Sequence, residues 1–201
     1  MAVKKRRENN GKNNSDKKYF SISSDKKKRI AGVFLILFSL FLLLCIISYN
    51  GWDEGYVLKY SIFDTIFNPP AQMEAHNWLG RVGSHFAYFF VISMLGYFSI
   101  VFPVILFIWG LFFFKKFQFK ILIHTTNFFI VSGLTLASFF GVLFKGFQIF
   151  PGGRELRGDI GEQLGGWLNG LLGSIGSILL LLFISATVLI FAFDIKIENI
   201  Y

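Results

Sequence analysis

The sequence predicts an all-α membrane protein with four transmembrane helices, and three observations carry that prediction. Residues 79–114 contain no Asp, Glu or Lys, and their one charge, Arg81, sits near the start of the run. A stretch this apolar has no polar face to turn to water, so it cannot be the stripe of a soluble helix. Three further runs, residues 30–48, 121–144 and 173–193, are also apolar and reach the roughly 20 residues that a bilayer crossing needs. Composition agrees. Charged residues make up 16%, hydrophobic residues 54%, and the 27 phenylalanines suit a lipid-facing surface that needs bulk and no hydrogen bonds. Mean hydropathy is +0.57.

The first 29 residues hold eleven Lys/Arg against three acids, so this segment carries the whole net charge of +8. It is rich in Asn, Ser and Lys and too poor in apolar residues to fold alone, which predicts a disordered cytoplasmic tail over 1–29. Cations beside a first helix hold that end in the cytoplasm. Lys26, Lys27, Lys28 and Arg29 can also touch anionic headgroups, each worth about 1 kcal/mol near the surface. No aromatic platforms stand among residues 1–18, so a nucleic-acid site there has no support.

The first span, 30–48, ends at Tyr49 and Trp52, where an aromatic belt belongs. It is too long for a signal-peptide core and lacks a small-residue cleavage pattern, so it is expected to stay as an anchor. Cys45 within it is the only cysteine and reads as a small packing residue. Residues 50–78 carry one Lys and four acids (Asp53, Glu54, Asp64, Glu74), which makes this loop external, and its aromatics suggest that it lies against the membrane surface. Pro69-Pro70 should end any helix before the next span.

Charge parity decides how often 79–114 crosses. Lys115, Lys116 and Lys120 follow it without an acid, so that linker is cytoplasmic, like the tail, and an even number of crossings lies between them. One crossing is therefore expected here, over about 86–114, with the excess length at the outer interface and a kink at Pro103. Residues 121–144 return outward. A short external loop, 145–163, follows with a turn at Pro151–Gly153, and 173–193 crosses back, leaving N- and C-termini both cytoplasmic. Residues 194–201 have no cap and no polar stop, and read as the start of a cytoplasmic linker cut through.

Chemistry-bearing motifs are missing. The sequence has no GxxxxGK[ST] phosphate loop and no metal-spaced ligand cluster, and His76, His85 and His124 stand apart without companions in the sequence. The span interiors lack the ionisable residues that transport leaves in a bilayer. No catalytic residue, cofactor or metal is expected in this chain, and a membrane enzyme is disfavoured. The positive signal is small-residue spacing. Gly166, Gly170, Gly173 and Ser177 recur at i, i+4, i+7 and i+11, and Gly80, Gly83 and Ala87 form a shorter patch. In lipid such faces let helices approach closely, within one four-helix unit or between protomers.

Asn77-Trp78-Leu79-Gly80-Arg81-Val82-Gly83, then Phe86-Ala87, Leu95-Gly96-Tyr97 and Pro103, resembles the second-span signature of the FtsK/SpoIIIE membrane domain. Gly158-Asp159-Ile160-Gly161 and 171–176, LLGSIG, resemble the lead-in to its fourth span. Ser84-His85 departs from the Ala and bulky residue that the family often has there. The resemblance covers roughly residues 30–193. It implies the anchor of a bacterial DNA translocase in the inner membrane at the division septum, active in cell division and chromosome segregation. It also implies an ATP-driven hexameric motor beyond Tyr201. The partners it implies are the lipid bilayer, other copies of the chain (a hexamer if the motor sets the number), cell-division membrane proteins, and DNA only through the downstream motor. The alternative is a self-contained small membrane subunit of a secretion or transport complex.

Overall fold

In a computed structural model the described residues are 24–68, 74–114 and 119–193, and every regular element among them is helical. The expected turn at Pro69-Pro70, the cations Lys115 and Lys116, and the linker 194–201 lie outside them, as does the tail up to residue 23.

Helix α1, Ser24–Ile47, begins earlier than expected. Lys26, Lys27, Lys28 and Arg29 form its exposed first turns and do not belong to a tail. Long straight-chain cations are good helix formers, and a hydrophobic helix already nucleated is extended by them at little cost. Two short external helices follow, α2 (Glu54–Val57) and α3 (Ile62–Phe67), the latter started by a Ser61–Asp64 capping box.

The run 79–114 is where the structure departs most from the sequence reading. Helix α4, Gly80–Tyr88, passes into a π-helical turn at Phe89–Met94; a 3-10 turn at Gly96–Ile100 then leads into α5, Val101–Phe112. The two halves meet at 118°. The bend lies at Gly96, not at Pro103. Gly96 takes φ +69, and a Cβ there would come within 2.6 Å of the Glu155 carbonyl. Pro103 lies in the first turn of α5, where the 3-10 turn already runs into the helix with the Val101 N–H on the Phe98 carbonyl, and the chain does not bend there. The run is thus two helical pieces, 80–94 and 96–112, where one kinked crossing over 86–114 was expected. Replacing Pro103 with alanine should leave the bend and shift stability by under about 1 kcal/mol, whereas Gly96→Ala should cost about 1–3 kcal/mol of strain. Thermal unfolding midpoints of the two variants in mild detergent check this.

Helix α5 runs antiparallel along α1. Tyr97 meets Tyr49 at one end, with ring centroids 6.3 Å apart, and at the other a Cβ on Gly110 would meet Ile36 and the Gly32 carbonyl. Helix α6, Phe119–Phe147, turns back along α5, with Trp109 Nε1 donating to Thr126 Oγ1 at 2.9 Å. Helix α7, Arg154–Phe193, is broken at Gly158 and Gly173, both with positive φ. Its middle piece, 159–172, runs parallel to the outer half of α6; its last piece, 174–193, descends antiparallel to it. The contacts that show this run in order: Gly161 against Ala137, Gly165 against Gly141, Ser174 against Gly146, and Phe191 beside His124 and Phe128.

Three helices are long and apolar enough to cross, and the count is four when the bent pair is taken as one span. The starts of α1 and α6 and the ends of α5 and α7 share one end of the bundle. Lys26–Arg29 and Lys120 are exposed there. Cations mark that end as cytoplasmic. Residues 50–68, α4 and 148–172 make up the opposite, external cap.

Candidate functional site

The external cap is held by a polar knot around Asp53, which is only 4% exposed. Its carboxylate accepts from the His76 N–H at 2.9 Å, the Asn77 N–H at 3.0 Å and the Ser84 hydroxyl at 2.5 Å, with His76 Nδ1 at 3.0 Å. Burial alone would raise this carboxyl. The hydrogen bonds from Ser84, His76 and Asn77 outweigh it and hold the group below the ordinary carboxylate range. Asn77 in turn ties the cap to the first span: its Nδ2 donates to the carbonyls of Cys45 at 2.9 Å and Ser48 at 3.1 Å, and its Oδ1 accepts from the Leu79 N–H. The Cys45 carbonyl is among the last of α1, which lack an intrahelical partner, and the Ser48 carbonyl follows just past its end, so the side chain of Asn77 serves as the cap of that helix.

A second tie joins α3 to α4. Thr65 Oγ1 lies 2.9 Å from His85 Nε2. Because the Thr65 hydroxyl already donates to the Ser61 carbonyl, the imidazole Nε2–H is the donor in this pair. Burial pushes the His85 imidazole below its usual range. A depressed folded value means that the unfolded chain binds the proton first. The stability from this neutral histidine is present above about pH 6.5 and is lost as pH falls below it. The protection of amides 62–67 from hydrogen exchange, taken against the intrinsic rate at each pH, should therefore fall between about pH 6.5 and 5, and should not in His85→Gln.

His76 and His85 thus have companions that their sequence positions did not disclose, Asp53 being 23 residues from His76 and Thr65 twenty residues from His85. The departure Ser84-His85 supplies one partner to each network.

The second constellation braces the turn between α6 and α7. Arg157 is buried, donates from Nε to Glu162 at 2.9 Å, and lies over the Phe144 ring at 3.7 Å. Lys145 Nζ reaches the other oxygen of Glu162 at 2.7 Å, and Arg154 grips Asp159 at 2.9 Å. Burial opposes the Glu162 charge, but the bonds from Lys145 and Arg157 prevail and hold its carboxyl low. No buried side-chain nitrogen or oxygen among the described residues lacks a partner.

The small-residue positions divide. Gly83 is closed by the Asn77 side chain and Leu79, and Ala87 is buried, so this part of the shorter patch packs within the cap, while a Cβ on Gly80 would meet none of the described residues within 4 Å. Gly166, Gly170, Gly173 and Ser177 do not form one smooth face, because the chain breaks at Gly173 with φ +67. Lys145 methylenes cover Gly166, Ser177 is buried, and Gly170 and Gly173 have nothing within 4 Å. The tight contact lies one register away, where Gly161 and Gly165 meet Ala137 and Gly141 backbone to backbone. Both pairs have the small-xxx-small spacing, the one signal of them that the sequence carries.

No group of three or more His, Cys, Asp or Glu able to hold a metal occurs among the described residues. The fold and its satisfied polar cap define a multi-pass helical membrane domain whose polar residues serve to hold structure. A family model for the 4TM region of DNA translocase FtsK/SpoIIIE matches residues 25–201. The chain belongs to that family, through its non-catalytic membrane region. Comparison with curated proteins and with solved structures gave no match.

Proposed function

We propose that this domain is the membrane anchor and septum-assembly part of a DNA translocase acting in cell division and chromosome segregation, with the ATP-driven motor in sequence outside this chain. The observation that carries the reading is the family match over a bundle whose first crossing begins, and whose last crossing ends, at the same cationic face. A cytoplasmic motor joined to the last crossing needs that arrangement. The domain itself binds lipid, copies of itself and division proteins of the inner membrane, and meets DNA only through the motor. Gly170 and Gly173, which nothing among the described residues covers, are the positions offered for contact between copies.

The coding frame beyond Tyr201 tests the reading directly. A linker followed by a GxxxxGK[ST] ATPase supports it; a frame that stops there favours a self-contained subunit of a secretion or transport complex. A fluorescent fusion of residues 1–201 tests placement: septal bands support the reading, and uniform membrane signal removes the septal part. Oxidative crosslinking of Gly170→Cys between copies tests self-association.

A further inference from the structure

Residues 50–68 are folded the wrong way round for a loop that faces water. Asp53 and Thr65 point inward, while Trp52 is 84% exposed, Phe67 73%, Phe63 70% and Leu58 69%. On α3, Phe63, Ile66 and Phe67 stand at i, i+3 and i+4 and share one face. Thr65 takes the other side, against His85. Leaving such side chains in water forfeits the gain of removing their apolar surface from it, so this surface suits an apolar medium.

Its setting identifies that medium. Leu40, Leu44 and Ile47 make an exposed stripe on α1, which is lipid-facing along the crossing. Trp52 stands just past the end of that helix, and exposed Trp78 is held there by its N–H on Ser48 Oγ at 3.2 Å. Tryptophan at the end of a span marks the headgroup boundary. The charged neighbours on this segment, Lys59 and Asp64, are exposed and available to the wet side of that boundary.

We propose that α3, with Trp52, is an interfacial anchor in the external leaflet, its Phe63–Ile66–Phe67 face set among phospholipid headgroups and upper acyl chains. The anchor is coupled to the rest of the cap. Thr65 ties it to α4 through His85, and Asp53 ties the preceding turn to α4 through Ser84. The depth of α3 in the leaflet thus fixes the position of the helix that leads to the Gly96 bend.

The test uses the 201-residue chain in phosphatidylethanolamine–phosphatidylglycerol vesicles, with Phe63→Cys carrying an environment-sensitive fluorophore; the native Cys45 is buried. With the face about 5–10 Å into the headgroup–acyl boundary, the probe should emit to the blue and lose roughly half its intensity to shallow spin-labelled lipids. Water-like emission quenched by iodide overturns the proposal. Blue emission that ignores lipid quenchers and depends on protein density overturns it too, because the face is then covered by another copy. The unlabelled chain gives an independent reading: Trp52→Phe should reduce the quenching of intrinsic fluorescence by brominated lipids, and equal quenching before and after rejects the anchor.

Discussion

Replacing Gly141 with isoleucine should part α6 from α7, and it is the most damaging single change expected in the crossings. A Cβ at Gly141 falls on the Gly161 carbonyl, and a Cβ at Gly165 falls on the Gly141 backbone. Both neighbours are main chain of packed helices, so no rotamer change makes room. Overpacking ordinarily costs about 1–3 kcal/mol, and with backbone on both sides the cost should lie at or above the top of that range. Gly170→Ile is the control: a Cβ there would meet none of the described residues within 4 Å, and the monomer should keep its stability within about 0.5 kcal/mol. Thermal unfolding of both variants in mild detergent decides the matter. Equal loss in the two would mean that the contact between α6 and α7 does not follow this register.

Asp53→Ala should cost about 3–5 kcal/mol, because it leaves the His76 and Asn77 N–H groups and the Ser84 hydroxyl buried without their acceptor. Asp53→Asn keeps an acceptor oxygen and should recover part of that loss. The effect is local in contact and wide in consequence. Asn77 is held at one side by Asp53 and at the other caps the end of α1, so loosening the knot also uncaps the first span. The pH dependence has a definite sign. The folded carboxyl is held below its unfolded value, so its contribution is complete above about pH 4 and is lost as pH falls through the lower folded value. The difference in midpoint between wild type and Asp53→Asn should be level from neutral pH down to about pH 5 and should shrink only in stronger acid. A difference that already shrinks near neutrality would mean that the carboxyl is not held low.

The bilayer makes part of this protein legible in one dimension. Residues 30–48, 121–144 and 173–193 are apolar for long enough that no other solvent suits them, and the cations at 26–29 and 120 orient them without reference to any contact. Helix content, number of crossings and the shared side of the start of α1 and the end of α7 follow from length, hydropathy and charge parity, which are properties of single segments. Membership of the translocase family was legible in the glycine patterns for the same reason: they are local.

What tertiary structure decided is which small residues touch and which polar residues meet. Gly165 and Gly166 differ by one place in the sequence and by about 100° around the helix, so spacing alone could not choose between them; the partner helix did. The bend moved from Pro103 to Gly96 because the backbone of 155–156 approaches Gly96 more closely than any side chain would permit. The Asp53 knot joins residues more than twenty positions apart, so no short motif contains it. A buried carboxylate is stable only with its donors in place, and those donors arrive together only when the loop folds back on the end of α1.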